Sequence, residues 1–181
     1  MCEKYDKVMM DTAILWSKQS YCRRRQVGSV IAKDNRIVSI GYNGTTKGSS
    51  NDCEEHVIEC ASCGKKHNID HMFDEYEDVH QVTCECGTTH NYSDVYLHEY
   101  EEEFLATKDE TLHAEQNAIV YAAKYGIPIT GTILYVTTSP CITCAKLIVQ
   151  SGISRVVYKE AYKNEDGIAL LLRHDIEVSK V

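Results

Sequence analysis

The chain has 181 residues, of which 43% are hydrophobic and 25% charged, and only two are proline. That composition fits one compact globular domain with an elaboration and excludes a disordered, collagen-like or fibrous chain. The formal net charge of -8 stands against a general nucleic-acid binder, which needs a basic surface.

The charge is unevenly placed. Residues 45–110 hold 17 acids against four Lys or Arg, while the remainder holds 10 acids against 15, so an anionic ligand is expected on the remainder. No run approaches the roughly 20 apolar residues that span a bilayer. Charge also interrupts Met1 to Asp11, where a signal peptide would be apolar. The expected setting is the cytoplasm, with no membrane partner.

From Tyr5 to Gln19 the apolar Val8, Met9, Ala13, Ile14 and Trp16 follow helical spacing. Gln26 to Lys33 and Arg36 to Tyr42 are β-rich runs separated by Asp34-Asn35, a two-residue turn, and they predict a hairpin. Beyond Asn43-Gly44 a polar region with little periodicity runs to about Glu110. A structureless loop of that length is uncommon inside a compact domain, so a metal is expected to order it. From Leu112 helices and strands alternate: helix His113 to Gly126, strand Thr132 to Ser139, helix Cys141 to Gly152, strand Ser154 to Lys159, then helix Gly167 to His174 and strand Ile176 to Ser179. These elements predict an α/β protein, a three-layer α-β-α sandwich around a mixed sheet of about five strands. It spans residues 1–181 and carries residues 54–110 as an insert.

Nine cysteines without a secretion signal point to metal binding or catalysis rather than disulfides. Cys141 and Cys144 lie three apart at the start of a predicted helix, so both thiols face one side near its positive end, where thiolate is favoured. His113 opens another helix. Three protein ligands leave a fourth zinc position for water, the arrangement of a catalytic site, and zinc lowers the pKa of that water toward about 7. Glu115, two residues from His113, is then the expected proton shuttle beside that water. A closed zinc knuckle or a redox pair at Cys141 and Cys144 is the alternative, although a redox pair needs neither His113 nor Glu115.

The pattern His113-Ala114-Glu115 followed by Pro140-Cys141-Ile142-Thr143-Cys144 matches the signature of the zinc-dependent nucleobase deaminases. With VGSVIAKDNRIVSIGYNG (Val27 to Gly44), HAEQNAI (His113 to Ile119), YVTTSPCITCAKLIVQSGI (Tyr135 to Ile153) and VVYKEAY (Val156 to Tyr162), the chain resembles the deoxycytidylate (dCMP) deaminase family, within the cytidine deaminase superfamily. The resemblance covers Tyr5 to Asn51 and Leu112 to Val178. It implies hydrolysis of dCMP to dUMP and ammonia, supplying dUMP for dTTP synthesis. It further implies that Asn43 touches the sugar or phosphate, that Tyr162 lines the base pocket, and that the backbone near Ala114 and Ser139 holds the pyrimidine edge. Family members are often homohexamers, activated by dCTP with Mg2+ and inhibited by dTTP, and this places a regulatory nucleotide at Gly41, Tyr42, Asn43 and Gly44. Independently of the resemblance, the triplet Arg23-Arg24-Arg25, centred on Arg24, is either a phosphate clamp or a solvated basic turn.

In the insert, Cys60-Ala61-Ser62-Cys63-Gly64 and Cys84-Glu85-Cys86-Gly87 each place two thiols before a glycine, as zinc-ribbon knuckles do. Coordination by Cys60, Cys63, Cys84 and Cys86 would order a module over about residues 58–92 that lacks the apolar residues for a core of its own. His67, His71 and His90 are alternative donors for one thiol, while His80 and His174 read as surface residues. In the bacteriophage branch of the family a further structural zinc joins cysteines before the first strand and after GYNG to a histidine and an acid. Cys22, Cys53, His98 and Glu110 are the corresponding positions here, with His56 as a rival, although the spacing departs from that branch. Two buried thiols are the alternative reading. The expectation is therefore one catalytic and one or two structural zinc ions, with Glu101-Glu102-Glu103 a solvated helix face.

Three other readings stand beside dCMP deamination. They are action on another cytosine nucleotide or nucleoside, action on a transfer-RNA adenosine, and an inactive zinc-binding scaffold with the deaminase fold. The acidic balance disfavours an RNA substrate, and retention of both His113 and Glu115 disfavours a dead scaffold.

Overall fold

The computed structural model describes residues 3–74, 77–99 and 101–181. The chain forms two compact units: one runs to Asn51 and resumes at Glu110, and the other is Asp52–Asp109. The first unit begins with α1 (Glu3–Ser17), β1 (Gly28–Lys33), β2 (Arg36–Tyr42) and β3 (Gly44–Thr45). The second holds β4 (Glu54–Glu59), β5 (Lys66–Asn68), α2 (His71–Asp74), β6 (Val79–Thr83), β7 (Thr89–Ser93), α3 (Asp94–Glu99), α4 (Glu101–Phe104) and β8 (Leu105–Thr107). The first unit is completed by β9 (Thr111–Leu112), α5 (Ala114–Lys124), β10 (Ile133–Thr138), α6 (Ile142–Ser151), β11 (Arg155–Glu160), α7 (Asp166–Arg173) and β12 (Glu177–Lys180).

In the first unit the sheet order is β12-β11-β10-β1-β2. β1 runs antiparallel to both β2 and β10, whereas β10, β11 and β12 are parallel, so the sheet is mixed. Asp34 and Asn35 join β1 to β2 with φ of 50° and 61°, the left-handed pair that a two-residue hairpin demands. β10 is buried at every position, as a strand covered on both faces must be. Period-two alternation divides its neighbours. Val30, Ala32, Ile133, Tyr135 and Val157 meet Met9, Met10 and Ala13 of α1. Ile31, Leu134, Val136 and Val156 meet Ala118, Ala145, Ile148 and Leu171 of α5, α6 and α7. This is the three-layer sandwich, and its helices and the five strands of its sheet start and stop within two residues of the bounds read from spacing, whereas the short β3 and β9 were not foreseen.

One polar group crosses the α1 face. Asp6 is 3% exposed; it accepts the Tyr135 hydroxyl at 2.7 Å and both Nη atoms of Arg155 at 3.1 and 2.9 Å. Two donors thus hold the buried carboxylate, and burial and the bond to Asp6 push the Tyr135 hydroxyl pKa up.

The second unit contains the sheet β5-β4-β8 and the hairpin β6-β7. It does have an apolar core, contrary to the expectation that metal alone orders it. Ile58, Ile69, Met72 and Leu97 are buried together, with Phe73, Val82, Tyr92 and Phe104 packed against them. These residues are scattered through the sequence at neither helical nor strand period, which hides the core from a reading by periodicity. One further expectation is corrected here: His80 is buried, at 4% exposure. The Glu101 side chain is 40% exposed, as on a solvated helix face, and its Oε1 also lies 3.1 Å from Nε2 of His56. No helix among the described residues is long and apolar enough to cross a membrane.

Candidate active site

His113 caps the N-terminus of α5 with extended backbone, φ -75° and ψ 158°. Its N–H donates to Oε1 of Gln116 at 2.7 Å, the reach-back bond of a capping box. Cys141 caps α6 in the same way, φ -71° and ψ 169°, and Cys144 follows in the first turn. Both helices rest on the same face of the sheet, so their N-terminal ends bring the three side chains together. Nδ1 of His113 lies 3.5 Å from Sγ of Cys141 and 3.4 Å from Sγ of Cys144.

Close packing holds this geometry. A Cβ at Gly167, in the first turn of α7, would collide with the carbonyl of Pro140 and the backbone carbon of Cys141. Only glycine lets α7 press on the segment that delivers Cys141.

Glu115 follows His113 by two residues and is 4% exposed. Burial, reinforced by the negative charge at Cys141, pushes its carboxyl up to about 6 even though the His113 ring and its own backbone N–H pull the other way. A hydrogen bond from Cys144 and the ring of His113 overcome burial and lower the Cys141 thiol to about 3. The site therefore sets a thiolate and a carboxyl able to exchange a proton near neutrality beside one imidazole.

Of the residues named for substrate, Ser139 and Tyr162 meet: the Tyr162 N–H donates to the Ser139 hydroxyl at 2.7 Å, and the Ser139 N–H to the Glu160 carbonyl at 2.8 Å. The Ala114 carbonyl accepts the Ser29 hydroxyl at 2.8 Å. Asn43 is tied to the loop before β1: its Oδ1 accepts the Val27 N–H at 2.7 Å and its Nδ2 donates to the Arg25 carbonyl at 2.8 Å. Arg24, in that loop, is exposed.

Each member of the GYNG segment has a structural task. Gly41 lies so close to Ala114 that a Cβ would strike its carbonyl. Tyr42 stacks on Trp16 at 6.2 Å with the planes 7° apart, and its carbonyl accepts Nδ2 of Asn117 at 2.6 Å. Gly44 pairs with Leu112.

In the second unit Cys60, Cys63, Cys84 and Cys86 converge, with their ligand atoms within 4.8 Å of one another. Sγ of Cys60 is 3.6 Å from that of Cys86, and Cys63 is 3.6 Å from Cys84. Gly64 and Gly87 turn the two knuckles with φ of 72° and 89°, and their N–H groups donate to the carbonyls of Cys60 and Cys84, each at 2.8 Å. The shorter C-x-C half therefore closes as well as the C-x-x-C half. His67, His71 and His90 stand outside this group of ligand atoms. A hydrogen bond from His90, opposed by burial, draws the Cys60 thiol down to about 5.

The suggested further group is not assembled among the described residues. Cys22 and Cys53 are buried and disulfide-bonded, which overturns for these two the zinc reading, the reading as buried thiols and the expectation against disulfides. Glu110 is exposed, none of the three joins a cluster of metal-ligating atoms, and the side chain of His98 lies outside the described residues. His56 is engaged elsewhere, with Nδ1 2.8 Å from Oδ1 of Asp70 and Nε2 3.1 Å from Glu101.

Sequence reasoning missed Ser29, Ser39 and the His56–Asp70–Glu101 chain. A serine inside a strand of otherwise buried residues was the available signal for Ser29. The histidine chain joins β4, the turn before α2 and α4, and left no local signal.

A buried carboxyl next to three converging metal-ligating groups at helix N-termini defines a metal-dependent hydrolase. Comparison narrows the class. Residues 3–160 match the model of the cytidine and deoxycytidylate deaminase zinc-binding region. The chain is 39% identical over 177 residues to the deoxycytidylate deaminase of Enterobacteria phage T4, covering 96% of this chain and 88% of that one. With the enzyme of phage T2 it shares 40% over 178 residues, covering 96% and 90%. The structure of the dCMP deaminase from cyanophage S-TIM5 in complex with dCMP and dUMP superposes with a TM-score of 0.70 at 30% identity, covering 100% of this chain and 99% of that one. The chain belongs to the dCMP deaminase family of zinc-dependent enzymes.

Zinc suits the residues present. Around a tetrahedral ion with Zn–S of about 2.3 Å and Zn–N of about 2.0 Å, N···S separations are about 3.5 Å and S···S about 3.8 Å. The observed 3.4 and 3.5 Å at His113 and 3.6 Å between the insert thiols match both donor sets.

Proposed function

We propose that this protein hydrolyses dCMP to dUMP and ammonia, feeding dTTP synthesis, and that the buried Glu115 beside His113, Cys141 and Cys144 carries the reaction. His113, Cys141 and Cys144 would hold the catalytic zinc, which would lower the pKa of a bound water to about 7. Glu115 takes one proton of the attacking water and delivers it to ring N3, then takes the proton of the hydroxyl now bonded to carbon 4 and delivers it to the departing amine. A C–O bond thus replaces the C–N bond broken at carbon 4, ammonia leaves, and Glu115 ends as it began. Its raised pKa, about 6, suits a group that must both accept and release protons near neutral pH.

Substrate assignments follow the family pattern. The backbone at Ala114 and Ser139 holds the pyrimidine edge, and Tyr162, anchored through Ser139, lines the base. Arg24 takes the phosphate, because a guanidinium matches phosphate oxygens in a fork. Asn43 serves the sugar with its second N–H while its other bonds order the arginine loop. The regulatory reading puts dCTP with Mg2+, as activator, and dTTP, as inhibitor, at Gly41 to Gly44 of a homohexamer or other homo-oligomer. A structural zinc at Cys60, Cys63, Cys84 and Cys86, whose ligand atoms converge, and a cytoplasmic setting complete the proposal.

The test is ultraviolet-monitored deamination by the zinc-replete protein with dCMP, dCTP and cytidine in parallel, with and without dCTP and magnesium as effectors. Turnover of dCMP is expected to dominate. Inertness toward dCMP with turnover of cytidine or dCTP would replace the substrate, and inertness toward all three would overturn the reading.

A further inference from the structure

The sheet face beneath α5 carries two serines and a glycine where apolar residues would pack. Ser29 pairs with Gly41 across β1 and β2, and Ile31 with Ser39, so all four lie on that face. Ser29 is 0% exposed and Ser39 3%. Each hydroxyl donates to a main-chain carbonyl of α5: Ser29 to Ala114 at 2.8 Å and Ser39 to Ala118 at 2.7 Å. Gly41 removes the Cβ that would strike the same Ala114 carbonyl.

Buried hydroxyls bonded to carbonyls make a directional tie, unlike apolar packing, which tolerates sliding. Ala114 stands between the metal ligand His113 and the proton carrier Glu115, so the tie at Ser29 sets both side chains at once. The tie at Ser39 acts one helical turn further from the chemistry. We infer that Ser29 is a positioning residue for the reaction, holding the first turn of α5 so that His113 and Glu115 face Cys141 and Cys144. Gly41 serves the same carbonyl by leaving room for it, a role separate from any nucleotide contact.

Ser29→Ala and Ser39→Ala form a matched pair, since each removes one buried bond from the sheet to the same helix. The kinetic arm rests on the proposed dCMP deamination. Ser29→Ala is expected to lower kcat about 10-fold or more, because small displacements of reacting groups are costly, with KM within about twofold. Ser39→Ala is expected to lose similar thermal stability and keep kcat within about twofold. Equal kcat losses in the two variants, or none in Ser29→Ala, would overturn the inference.

A second arm needs no turnover. In the cadmium-loaded protein, cadmium NMR separates the site of two sulfurs and one nitrogen from the four-sulfur site. Ser29→Ala should shift the former resonance and leave the latter, and Ser39→Ala should leave both. An unshifted resonance in Ser29→Ala would refute the positioning role. If the wild type fails to turn over dCMP, the substrate reading falls and this arm still decides the role of Ser29. Ser29→Cys, of similar volume and with a weaker donor, takes the place of Ser29→Ala should the latter be recovered unfolded.

Discussion

Gly44 pairs with Leu112 in a two-residue antiparallel ladder, which sets the end of the hairpin beside the residue preceding His113. Asn43, next to Gly44, then ties the loop of Arg23 to Arg25 back to the same place through Val27 and Arg25. Asn43→Ala removes two hydrogen bonds worth about 0.5–1.5 kcal/mol each. The expected outcome is a KM for dCMP raised about 10-fold, with zinc content unchanged, measured by steady-state kinetics and metal analysis. An unchanged KM would remove Asn43 from substrate binding.

Glu115→Gln keeps the size of a buried side chain while abolishing its proton exchange. General acid–base catalysis contributes about 10²- to 10⁴-fold, and kcat is expected to fall within that range. Because burial disfavours the ionised carboxyl, the neutral amide should leave thermal stability and zinc content intact. Melting curves and metal analysis alongside kinetics separate this result from loss of the site.

Metal analysis of the intact protein is expected to return two zinc ions per chain, one for each group of converging ligands. Cys84→Ser should reduce the count to one. Its consequence for folding is graded rather than total, because Ile58, Ile69, Met72 and Leu97 give the second unit a core besides its metal. Hydrogen exchange should therefore rise first around Cys60 to Gly64 and Cys84 to Gly87, and less at Leu97. Uniform loss of protection from Asp52 to Asp109 would show that the metal carries the whole unit.

Acid should weaken the second unit through Asp70. Burial raises its carboxyl pKa, but the backbone N–H of His56, the Asn68 amide and the His56 ring outweigh it, and the net shift is downward. A carboxylate whose folded pKa is depressed stabilises the fold above its unfolded value, about 3.9. That stabilisation is lost as pH falls through the lower folded value. The Asp70 side chain is 46% exposed, so screening holds the contribution to about 1 kcal/mol or less. Thermal unfolding of wild type and Asp70→Asn should differ at pH 6 and converge as the pH drops below about 4. A gap that persists in acid would assign the effect to shape instead of charge.

The candidate site residues were legible in the sequence because a capping residue and its partner two or three positions on are local features: His113 with Glu115, and Cys141 with Cys144, announce themselves by spacing. The knuckle cysteines share this quality. Ser29 was not legible, since a serine in a strand acquires meaning only when a helix 85 residues away in sequence lays a carbonyl over it. The bond from Glu101 to His56 was hidden for a related reason: nothing local to an acidic run shows that a histidine from another element meets one of its members.

By itself the sequence determined the class of fold, the order of the helices and strands that form the sandwich, and which residues could bind zinc or carry a proton, because periodicity, turn chemistry and ligand spacing act over a few residues. Tertiary structure decided which groups meet. The crossing of α5 and α6 over one sheet face joined His113 to Cys141 and Cys144, the hydrogen bond from Ser29 to the Ala114 carbonyl tied the first turn of α5 to the sheet, and a core drawn from scattered residues folded the insert. These outcomes depend on contacts between chain segments far apart in sequence, and only packing of the whole chain selects them.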